Sequence, residues 1–489
     1  MERRTVLRGL LAVPIGAAVA AAAAGPAWAD YTTTVNPGNK WGTWEGWGTS
    51  LAWWAKAFGD QDVLADLFFT RNSVSYQGQQ LPGLGMNIVR YNAGASLANS
   101  IGTRAMKPAA DISGYTQIEG YQLDWYSADP SSSSWNWYAD TNQRNMMWKA
   151  RDRGANIFEL FSNSPVWWML NNDDPNGAPD GGNNLQDQNY GRHAAYMATI
   201  ARYAHDHWGI DFSSVEPMNE PSGQWGGSWG RHQEGCHFDR DKQAQLINAL
   251  RGELNARDLG WMPVAGSDEN TYSAALDTWN SFDGTTRGNV GRINVHGYEG
   301  GGGRRDLLYS AAAAAGKKIW NSEYGDGDAS GMSAAGNLNL DFRWLHPTAW
   351  VYWQVVDPTA GWALVQNNNG TLGAVNPKYF VLAQFMRHIR PGMQIIDSGD
   401  ANSVAAYDAT NHKLVIVATN YGTGQWINFD LSRFGGPSRD GAQVDRWCTN
   451  TGGGDQYQYH QDTSMHGTRF WSWFNPNTVQ TFEVPDVYI

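Results

Sequence analysis

The sequence contains very little cysteine, with only Cys236 and Cys448 among 489 residues. Two cysteines exclude a disulfide-dense scaffold and leave no paired C-x-x-C motif for a structural zinc site. They can form one disulfide or stay as two separate buried thiols, and the residues alone favour neither. The chain also has no H-E-x-x-H motif and no G-K-S/T phosphate loop. We therefore expect no metal ion and no cofactor.

Positive charge is scarce as well, because 35 lysines and arginines stand against 47 aspartates and glutamates. Without the first 29 residues, 32 basic and 46 acidic residues remain, which is a net charge of −14. A chain this acidic repels nucleic acids, anionic membranes and acidic polysaccharides. We expect a neutral substrate, with no nucleic acid and no membrane as partner.

Long apolar runs are absent except near the N-terminus, where residues 10–25 form an alanine-rich stretch. This stretch is too short and too rich in alanine for a good membrane span. Arg3 and Arg4 precede it and resemble a twin-arginine export signal. An A-W-A tripeptide that ends at Ala29 fits the small-x-small rule for cleavage. The sequence predicts a signal peptide over residues 1–29, cleavage after Ala29 and a secreted, extracellular protein.

Aromatic residues and glycine are abundant, with 26 Trp, 21 Tyr and 56 Gly. A large core absorbs many tryptophans, but Trp beside Gly and Asn in loops favours flat surfaces that stack on sugar rings. Part of these tryptophans can equally be core. The candidates in the predicted strand-end loops are Trp47, Trp53, Trp54, Trp167, Trp168, Trp225 and Trp229.

The middle of the chain alternates short apolar runs with longer mixed segments, which is a βα rhythm. Most of the apolar runs finish in polar, Gly or aromatic residues, as expected where the carboxyl ends of barrel strands carry a site. We predict an α/β fold with a (β/α)8 TIM barrel over residues 41–390. Its strand candidates lie at 46–54, 86–92, 155–164, 212–220, 262–270, 292–298, 317–325 and 349–356.

After residue 390 the pattern changes to short alternating runs separated by Asn and Gly turns. In QWINFDL, Ile427, Phe429 and Leu431 alternate with polar residues, so one face of this strand is buried. We predict a β-sandwich side domain over residues 391–489 that buttresses the barrel. Its strands are expected within 403–421, 425–431, 442–450 and 477–484.

The stretch VEPMNEP at 215–221 places Glu216 and Glu220 four residues apart, each followed by a proline. The prolines exclude a helix, so the two carboxylates are not one helical turn apart. On a strand, four residues span roughly 13 Å. Retaining glycosidases need two carboxyl groups at about 5 Å, and inverting ones somewhat further apart. One member of the pair therefore needs a partner from another strand.

Glu220 is the better candidate for the acid, because it ends the predicted strand 4 and Asn219 lies beside it. Glu216 lies deeper, where a barrel carboxylate usually pairs with an arginine, and we expect that partner to be Arg90. The second carboxylate is predicted in WNSEYG, where Glu323 ends strand 7 before a Gly-containing loop. Strands 4 and 7 face each other across a barrel mouth, so both glutamates can flank one bond.

These residues resemble clan A of the glycoside hydrolases, in which N-E-P ends strand 4 and a glutamate ends strand 7. The wider pattern is similar to glycoside hydrolase family 30, and within it to endo-β-1,6-galactanases. The resemblance implies a retaining double displacement and an N-terminal strand over residues 30–40 that joins the β-domain. The matching stretches are WEGWGTSLAWWA (44–55), NIVRYNAG (87–94), FSNSPVWWM (161–169), VEPMNEP (215–221), HGYEG (296–300), WNSEYG (320–325) and NPKYFVLAQFMRHIRPG (376–392).

The resemblance also implies roles for single residues. Glu220 matches the general acid/base, Glu323 matches the nucleophile, and Asn219 matches the residue that holds the sugar 2-hydroxyl. Arg90 and Tyr298 match positions that orient the nucleophile and keep it ionised.

Other candidates for substrate contacts come from the same stretches. Trp353 resembles the platform under the sugar in the −1 subsite. His296 either lines the site or is a satisfied barrel histidine, and both interpretations stay open. The remaining expected substrate contacts are Asn163, Trp47, Trp168 and Trp225.

The function that the sequence predicts is a secreted, monomeric, retaining endo-β-1,6-galactanase that acts on neutral galactan of arabinogalactan side chains. The linkage rests on the resemblance, because subsite shape cannot be read from the residues. Alternatives are other family 30 activities, namely exo-β-1,6-galactobiohydrolase, β-1,6-glucanase or xylanase. A lectin-like binding protein is a further alternative, although a binder has no need of two opposed carboxylates.

Overall fold

The computed structural model describes residues 29–107 and 114–489. The predicted signal peptide lies outside these residues except for Ala29. No helix in the described part of the chain is long and apolar enough to cross a membrane.

Eight parallel strands form a closed barrel. They follow one another around it in chain order, and the last strand pairs with the first to close the ring. Seven predicted strand segments contain one of them, and the segment 292–298 overlaps a strand that begins two residues earlier. The predicted (β/α)8 barrel is therefore confirmed. The strands are β1 (Gly46–Ser50), β2 (Ile88–Asn92), β3 (Ile157–Phe161), β4 (Ser214–Glu216), β5 (Val264–Glu269), β6 (Val290–His296), β7 (Lys318–Tyr324) and β8 (Ala349–Tyr352).

Helices surround the barrel. In the helix at residues 240–256, Leu246, Leu250 and Leu254 are buried, because a spacing of four places them on one face. The α-helices are α1 (Trp54–Phe58), α2 (Asp62–Phe69), α3 (Thr141–Asp152), α4 (Tyr190–Tyr203), α5 (Arg240–Ala256), α6 (Tyr272–Ser281), α7 (Gly284–Asn289), α8 (Arg305–Ala314), α9 (Met332–Leu340) and α10 (Pro377–Met386). Two π-helical segments, Ala204–Trp208 and Asp341–Leu345, continue α4 and α9.

Short strands lie in the loops between these elements. They form two hairpins and one small sheet, none of which belongs to the barrel. Their bounds are Ser73–Tyr76 with Gln79–Pro82, Ser100–Ile101 with Arg104–Ala105, and Val356–Asp357 with Val365–Asn368 and Thr371–Val375.

The C-terminal region forms β-sheets that pack on each other, as the predicted β-sandwich requires. A seven-stranded sheet and a three-stranded sheet enclose a core in which the rings of Phe429 and Phe470 lie 4.9 Å apart and each lies 5.1 Å from Phe482. The C-terminal strands are β9 (Gln394–Asp397), β10 (Ser403–Asp408), β11 (Lys413–Asn420), β12 (Gln425–Asp430), β13 (Gln443–Asn450), β14 (Gln458–Ser464), β15 (Arg469–Phe474) and β16 (Thr478–Val484).

Two N-terminal strands complete these sheets. Tyr31–Thr34 pairs in parallel with β12 in the three-stranded sheet, and Asn36–Thr43 pairs with β9 at the edge of the seven-stranded sheet. The chain therefore enters the β-sandwich before it enters the barrel. The domain boundaries at residues 40 and 390 stay a prediction.

Helix α10 is buried on every side because it lies between the barrel and the β-sheets. Gln384 of α10 donates to the Thr449 hydroxyl over 2.8 Å, and Thr481 donates to Gln384 Oε1 over 2.6 Å. These bonds satisfy the polar side chains at the contact, which would be costly to bury alone. The helix thereby joins the two parts of the molecule.

The two cysteines are separate. Cys236 is buried among barrel residues and Cys448 is buried in β13, and neither forms a disulfide. Of the two possibilities that the sequence left open, the structure has the pair of buried thiols.

Candidate active site

The carboxyl ends of the barrel strands open into a cavity of about 340 Å³. Two glutamates, three side-chain amides and four tryptophans contribute to its wall. The lining residues are Asn219, Glu220, Trp225, Trp229, His232, Gln233, Asn270, Tyr298, Glu323, Trp353 and Trp362.

Glu220 and Glu323 face each other in this cavity. One carboxylate oxygen of each and a ring nitrogen of His296 all lie within 4.8 Å of one another. His296 Nδ1 is 2.9 Å from Glu220 Oε1 and 3.5 Å from Glu323 Oε1. The two carboxylates are therefore no more than 4.8 Å apart at these oxygens. This distance fits retaining glycosidases, with carboxyl groups at about 5 Å, and not inverting ones, whose wider spacing leaves room for a water.

Two donors hold the Glu323 carboxylate in place. Arg90 Nη1 donates to Oε2 over 2.7 Å, and the Tyr298 hydroxyl donates to Oε1 over 2.8 Å. Burial raises the pKa of Glu323, and the positive charges of His296 and Arg90 oppose that shift. Burial and the Glu323 charge raise the pKa of Tyr298 well above its ordinary value, so the phenol keeps its proton and remains a donor.

Arg90 of β2 is a buried cation that contacts side chains from several neighbouring strands. Its Nη2 donates to Asp268 and, over 3.1 Å, to Asn219 Oδ1, and it lies 3.3 Å from Glu216 Oε2. Its Nε lies 3.7 Å from Glu159 Oε1. Burial alone would lower the pKa of Arg90, but the surrounding carboxylates, Asp268 first, raise it instead. The guanidinium therefore stays charged in the barrel interior.

Asp268 of β5 supports His296 from the side opposite to the glutamates. His296 Nε2 lies 3.0 Å from Asp268 Oδ1, and Ser322 donates to the same oxygen over 2.6 Å. Burial would raise the pKa of Asp268, but Arg90 and His296 outweigh it and lower the pKa to about 2. Burial would lower the pKa of His296, but Asp268 and Glu323 raise it well above its ordinary value. The neighbouring carboxylates therefore favour the protonated imidazole.

The three groups Glu220, His296 and Glu323 also have the spacing of a metal site. A protonated imidazole has no lone pair to offer, because both of its ring nitrogens carry a proton. Both carboxylate oxygens of Glu323 already accept hydrogen bonds from Arg90 and Tyr298. The chemistry of these donors fits a hydrogen-bonded pair of carboxylates and not a metal centre.

Glu220 does not lie on a strand, which corrects the prediction that it ends strand 4. β4 ends at Glu216, because Pro217 cannot donate to the sheet and the chain turns away. Glu220 has a φ of 45°, and its backbone N–H donates to Asp268 O over 2.9 Å. The Asn270 side-chain amide donates to Glu220 Oε1 over 2.5 Å. Loop contacts to β5 therefore aim this carboxylate into the cavity.

Glu216 is part of the scaffold. It pairs with Arg90 as predicted, and it is fully buried below the cavity. Burial, with Asp268 and Glu159 nearby, raises the pKa of Glu216 well above its ordinary value. Its side chain has no part in the cavity wall.

Two pairs of tryptophans flank the glutamates. Trp225 and Trp229 pack edge to face at 5.1 Å, and the Trp225 indole donates to the backbone oxygen of Glu220 over 3.2 Å. Trp353 follows β8, and Trp362 lies 6.1 Å from the Tyr298 ring. The placement of Trp225 and Trp353 on the wall agrees with the expectation of sugar-stacking surfaces.

Glycines near the glutamates make room for these rings. A Cβ on Gly223 would lie 2.4 Å from Trp229 Cζ3, and a Cβ on Gly325 would lie 2.4 Å from Trp362 Cζ3. Real Cβ atoms do not come that close to a ring, so any side chain would displace the tryptophan. Gly223, three residues after Glu220, and Gly325, two residues after Glu323, are therefore required by the packing of these rings.

Two buried side chains anchor the loops that carry the cavity wall. Glu234 follows His232 and Gln233, and it accepts hydrogen bonds from the Ser96 hydroxyl over 2.6 Å and from the Ile118 N–H over 3.1 Å. Burial raises the pKa of Glu234 to about 7. These bonds tie the loop after β4 to the loop after β2.

On the other side of the cavity, Lys378 of α10 links two loops. Its Nζ donates to Asp326 O, Asp326 Oδ1 and Gly361 O, each at 2.8 Å, and lies 3.0 Å from the Tyr352 hydroxyl. Asp326 lies three residues after Glu323, and Gly361 precedes Trp362. A single buried ammonium therefore fixes the Trp362 loop relative to the β7 loop.

Several predicted substrate contacts lie elsewhere. Trp47 is fully buried between the barrel and its helices, where its indole donates to Ile389 O. Trp168 is buried and donates to Gln122 O beside a separate small cavity, and Asn163 is buried without lining the site. These three are corrected to core positions, because a strand-end location does not fix which way a side chain points.

Arg90 and His296 contact the glutamates and not the open cavity, since both are fully buried. Arg90 therefore lies against Glu323, where the resemblance places it, and of the two open interpretations of His296 the structure has the buried barrel histidine. The residues that sequence reasoning missed are Asp268, Asn270, Trp362, His232 and Gln233. For Asp268 and Asn270 a signal existed, since SDEN ends the predicted fifth strand.

Comparison with known proteins agrees with this geometry. The model of O-Glycosyl hydrolase family 30 matches residues 30–287. An endo-beta-1,6-galactanase of Hypocrea rufa is 56% identical over 463 residues, which cover 94% of this chain and 96% of that protein. An exo-beta-1,6-galactobiohydrolase of Bifidobacterium longum subsp. longum is 25% identical over 580 residues, which cover 88% of this chain and 37% of that protein.

A solved structure shows the same fold at low sequence identity. The glycoside hydrolase family 30 subfamily 8 xylanase from Clostridium acetobutylicum superposes with a TM-score of 0.67 at 20% identity. The superposition covers 93% of this chain and 99% of the xylanase chain. It extends over the barrel and the β-sheets together.

The contact between Gly325 and Trp362 predicts a loss of activity in Gly325→Ala. The new methyl group displaces the Trp362 ring, and a misplaced wall residue costs about tenfold to a hundredfold in kcat/KM. Steady-state kinetics on the polymeric substrate measures this loss. Gly301→Ala is the matched control, since a Cβ there meets nothing within 4 Å. Equal kinetics for both variants would contradict the packing argument.

The low pKa of Asp268 predicts a pH-dependent loss of stability in Asp268→Asn. The folded pKa of about 2 lies below the ordinary 3.8, so the charged side chain stabilises the fold above pH 4 and this contribution fades as the pH falls toward 2. We expect a loss of about 3–5 kcal/mol at pH 7 and a smaller loss at pH 3. Urea unfolding at several pH values measures it, with the exposed Asp60→Asn as control. A difference that does not change with pH would refute the ion-pair account.

Proposed function

This chain belongs to O-glycosyl hydrolase family 30, and on that premise we propose that it cleaves β-1,6-linked galactan within the chain, with retention of configuration. The observation that carries the substrate is the 56% identity to an endo-beta-1,6-galactanase over nearly the whole of both proteins. The chemistry is supported by the two facing carboxylates, Glu220 and Glu323.

In the first step, Glu323 attacks the anomeric carbon and forms a glycosyl-enzyme. Glu220 gives its proton to the glycosidic oxygen as the bond to the leaving sugar breaks. Arg90 and Tyr298 prepare Glu323 for attack, because they orient both of its oxygens and favour the ionised form. Asn219 holds the sugar 2-hydroxyl, and its amide is oriented for this contact because its oxygen accepts from Arg90.

In the second step, Glu220 takes a proton from a water that attacks the anomeric carbon from the side that the leaving group vacated. The bond between this carbon and Glu323 breaks, and the Glu323 carboxylate is regenerated. Two inversions at one carbon give net retention. During the first step the negative charge moves from Glu323 to Glu220. His296 contacts both carboxylates, so its positive charge lies beside the negative charge before and after this transfer. In this proposal His296 is a positioning residue that favours the ionised form of each glutamate in turn.

The cavity fits a neutral sugar polymer. Trp225, Trp229, Trp353 and Trp362 offer ring surfaces, and Asn219 and Asn270 offer amides for hydroxyl groups. The chain is acidic, with a formal net charge of −12, which disfavours polyanionic substrates. We propose galactan as partner, with no nucleic acid and no membrane, for a secreted monomer.

An exo mode of action is the second candidate within the same reaction. It is favoured by the 25% identity to an exo-beta-1,6-galactobiohydrolase, a protein of which this chain spans about a third. The endo mode is preferred, because the match to the endo-acting relative covers both chains and is far closer. A binding protein without turnover is disfavoured, since two hydrogen-bonded, facing carboxylates are costly to bury without a catalytic role.

Product sizing on a panel of polysaccharides tests substrate and mode together. We expect reducing ends from β-1,6-galactan, with a range of early product lengths, and far slower release from β-1,3- and β-1,4-galactan, xylan and β-1,6-glucan. Early release of a single short product would establish the exo mode. Turnover of xylan or β-1,6-glucan in place of galactan would overturn the substrate, and binding without turnover would leave only a lectin.

Replacement of either glutamate tests the mechanism. Glu220→Gln loses the proton transfer, which is worth about 10²–10⁴-fold in rate, and Glu323→Gln loses the nucleophile and falls to background. The fold stays intact, since glutamine keeps the shape. The surface variant Glu253→Gln is the control and keeps wild-type turnover. NMR of the wild-type reaction shows the β-anomer first, and an initial α-anomer would refute retention.

A further inference from the structure

The outer side of the three-stranded sheet carries tryptophans that the core does not use. Side chains alternate along β12 and β15, and Phe429 and Phe470 face the sandwich core. Trp426, Trp471 and Trp473 therefore face away from it. We call these three residues with Asn428 the outer tryptophan face.

These rings are exposed to solvent to different degrees. Trp473 is 43% exposed, and Trp426 and Trp471 are partly exposed. The solvent side of an antiparallel sheet normally carries polar residues. Trp471 stacks on the His466 ring at 4.3 Å, whereas burial of the other side of the sheet does not account for Trp426 and Trp473.

The rings are held rigidly in place. The Trp473 indole donates to Asn475 Oδ1 over 3.0 Å, and its ring lies over Gly424, where a Cβ would come within 2.5 Å. Trp426 and Trp473 are cross-strand partners whose rings meet edge to face at 5.7 Å. A fixed aromatic surface loses little conformational entropy when a ligand stacks on it.

Polar groups border the rings. Asn428 lies opposite Trp471, it is almost fully buried, and its Nδ2 donates to the Thr32 hydroxyl over 3.1 Å. Its Oδ1 has no hydrogen-bond partner among the described residues, which is unusual for a buried amide. Because this oxygen is itself closed to solvent, the surface that a ligand meets consists of the rings and not of the amide.

We propose that the outer tryptophan face is a second saccharide site that binds the neutral polysaccharide which the barrel cleaves. It repeats the aromatic wall of the cavity, to which four tryptophans contribute. The choice of polymer rests on the proposed function. A repeating chain can engage both sites at once, so the second site raises the local concentration of substrate for the first.

The occupant is a neutral saccharide for reasons of charge and chemistry. The acidic chain disfavours a polyanion or an anionic membrane. Fixed aromatic rings on the surface suit a ligand that offers apolar C–H faces together with hydroxyls. A second copy of this chain is the competing occupant, and the experiment includes it.

The double variant Trp426→Ala/Trp473→Ala tests the proposal against the control Trp261→Ala, a 57% exposed tryptophan elsewhere on the molecule. We expect KM on long galactan to rise about tenfold, with kcat/KM on a galacto-oligosaccharide too short to span both sites unchanged. Retardation in gels that contain galactan should fall in parallel. Trp473→Tyr keeps a ring and should retain binding, which guards against a folding defect.

The outcomes separate this proposal from the proposed function. Cleavage of galactan with unchanged KM and retardation in the double variant would overturn the second site and leave the function standing. Failure to cleave galactan, with retardation by another neutral polysaccharide that the double variant loses, would overturn the substrate and support the site. A wild-type dimer that becomes monomeric in the double variant would overturn the site, because the face would then be a subunit interface.

Discussion

The structure of the active site depends on the burial of one cation, Arg90, among the acidic side chains of the barrel interior. Its guanidinium contacts carboxylates from neighbouring strands and from β7, and no solvent reaches it. A buried charge is stable only when its partners are placed with good geometry, so the positions of the strand ends are coupled. The same contacts orient Glu323 and Asn219, which makes the requirement for stability also the requirement for catalysis.

The fold was largely predictable, because periodicity marks parallel strands that are buried on both faces. Seven of the eight barrel strands lie inside predicted segments, and β6 begins two residues before its segment. β9 and β14 were not predicted, and β14 reads QYHQDTS, which has no apolar alternation because nearly all of it is exposed. β15, RFWSWF, alternates clearly and was overlooked only because its outward side is aromatic. Sequence pattern reports burial, so a mostly exposed strand such as β14 escapes it.

The site residues that lie at or just after barrel strands were predictable, because chain order fixes the positions of the strands. The site residues that lie further along the loops were not. Glu220 and Glu323 follow β4 and end β7, and closure of the barrel brings such residues together. Trp47 was mistaken for a wall residue, because its strand also has a side that faces the helices. Trp362 lies in a loop after β8 whose path depends on Lys378 and on Gly361, and no local pattern predicts such a path.

The role of the β-sandwich follows from α10. This helix holds the Trp362 loop through Lys378 on one side and meets the sandwich through Gln384 on the other. Because every position after Pro377 is buried, removal of the sandwich would expose apolar side chains of the helix and release it. The cavity wall would then lose the ammonium that joins its two loops. The sandwich is therefore a structural part of the active site, although its sheets contribute no residue to the cavity.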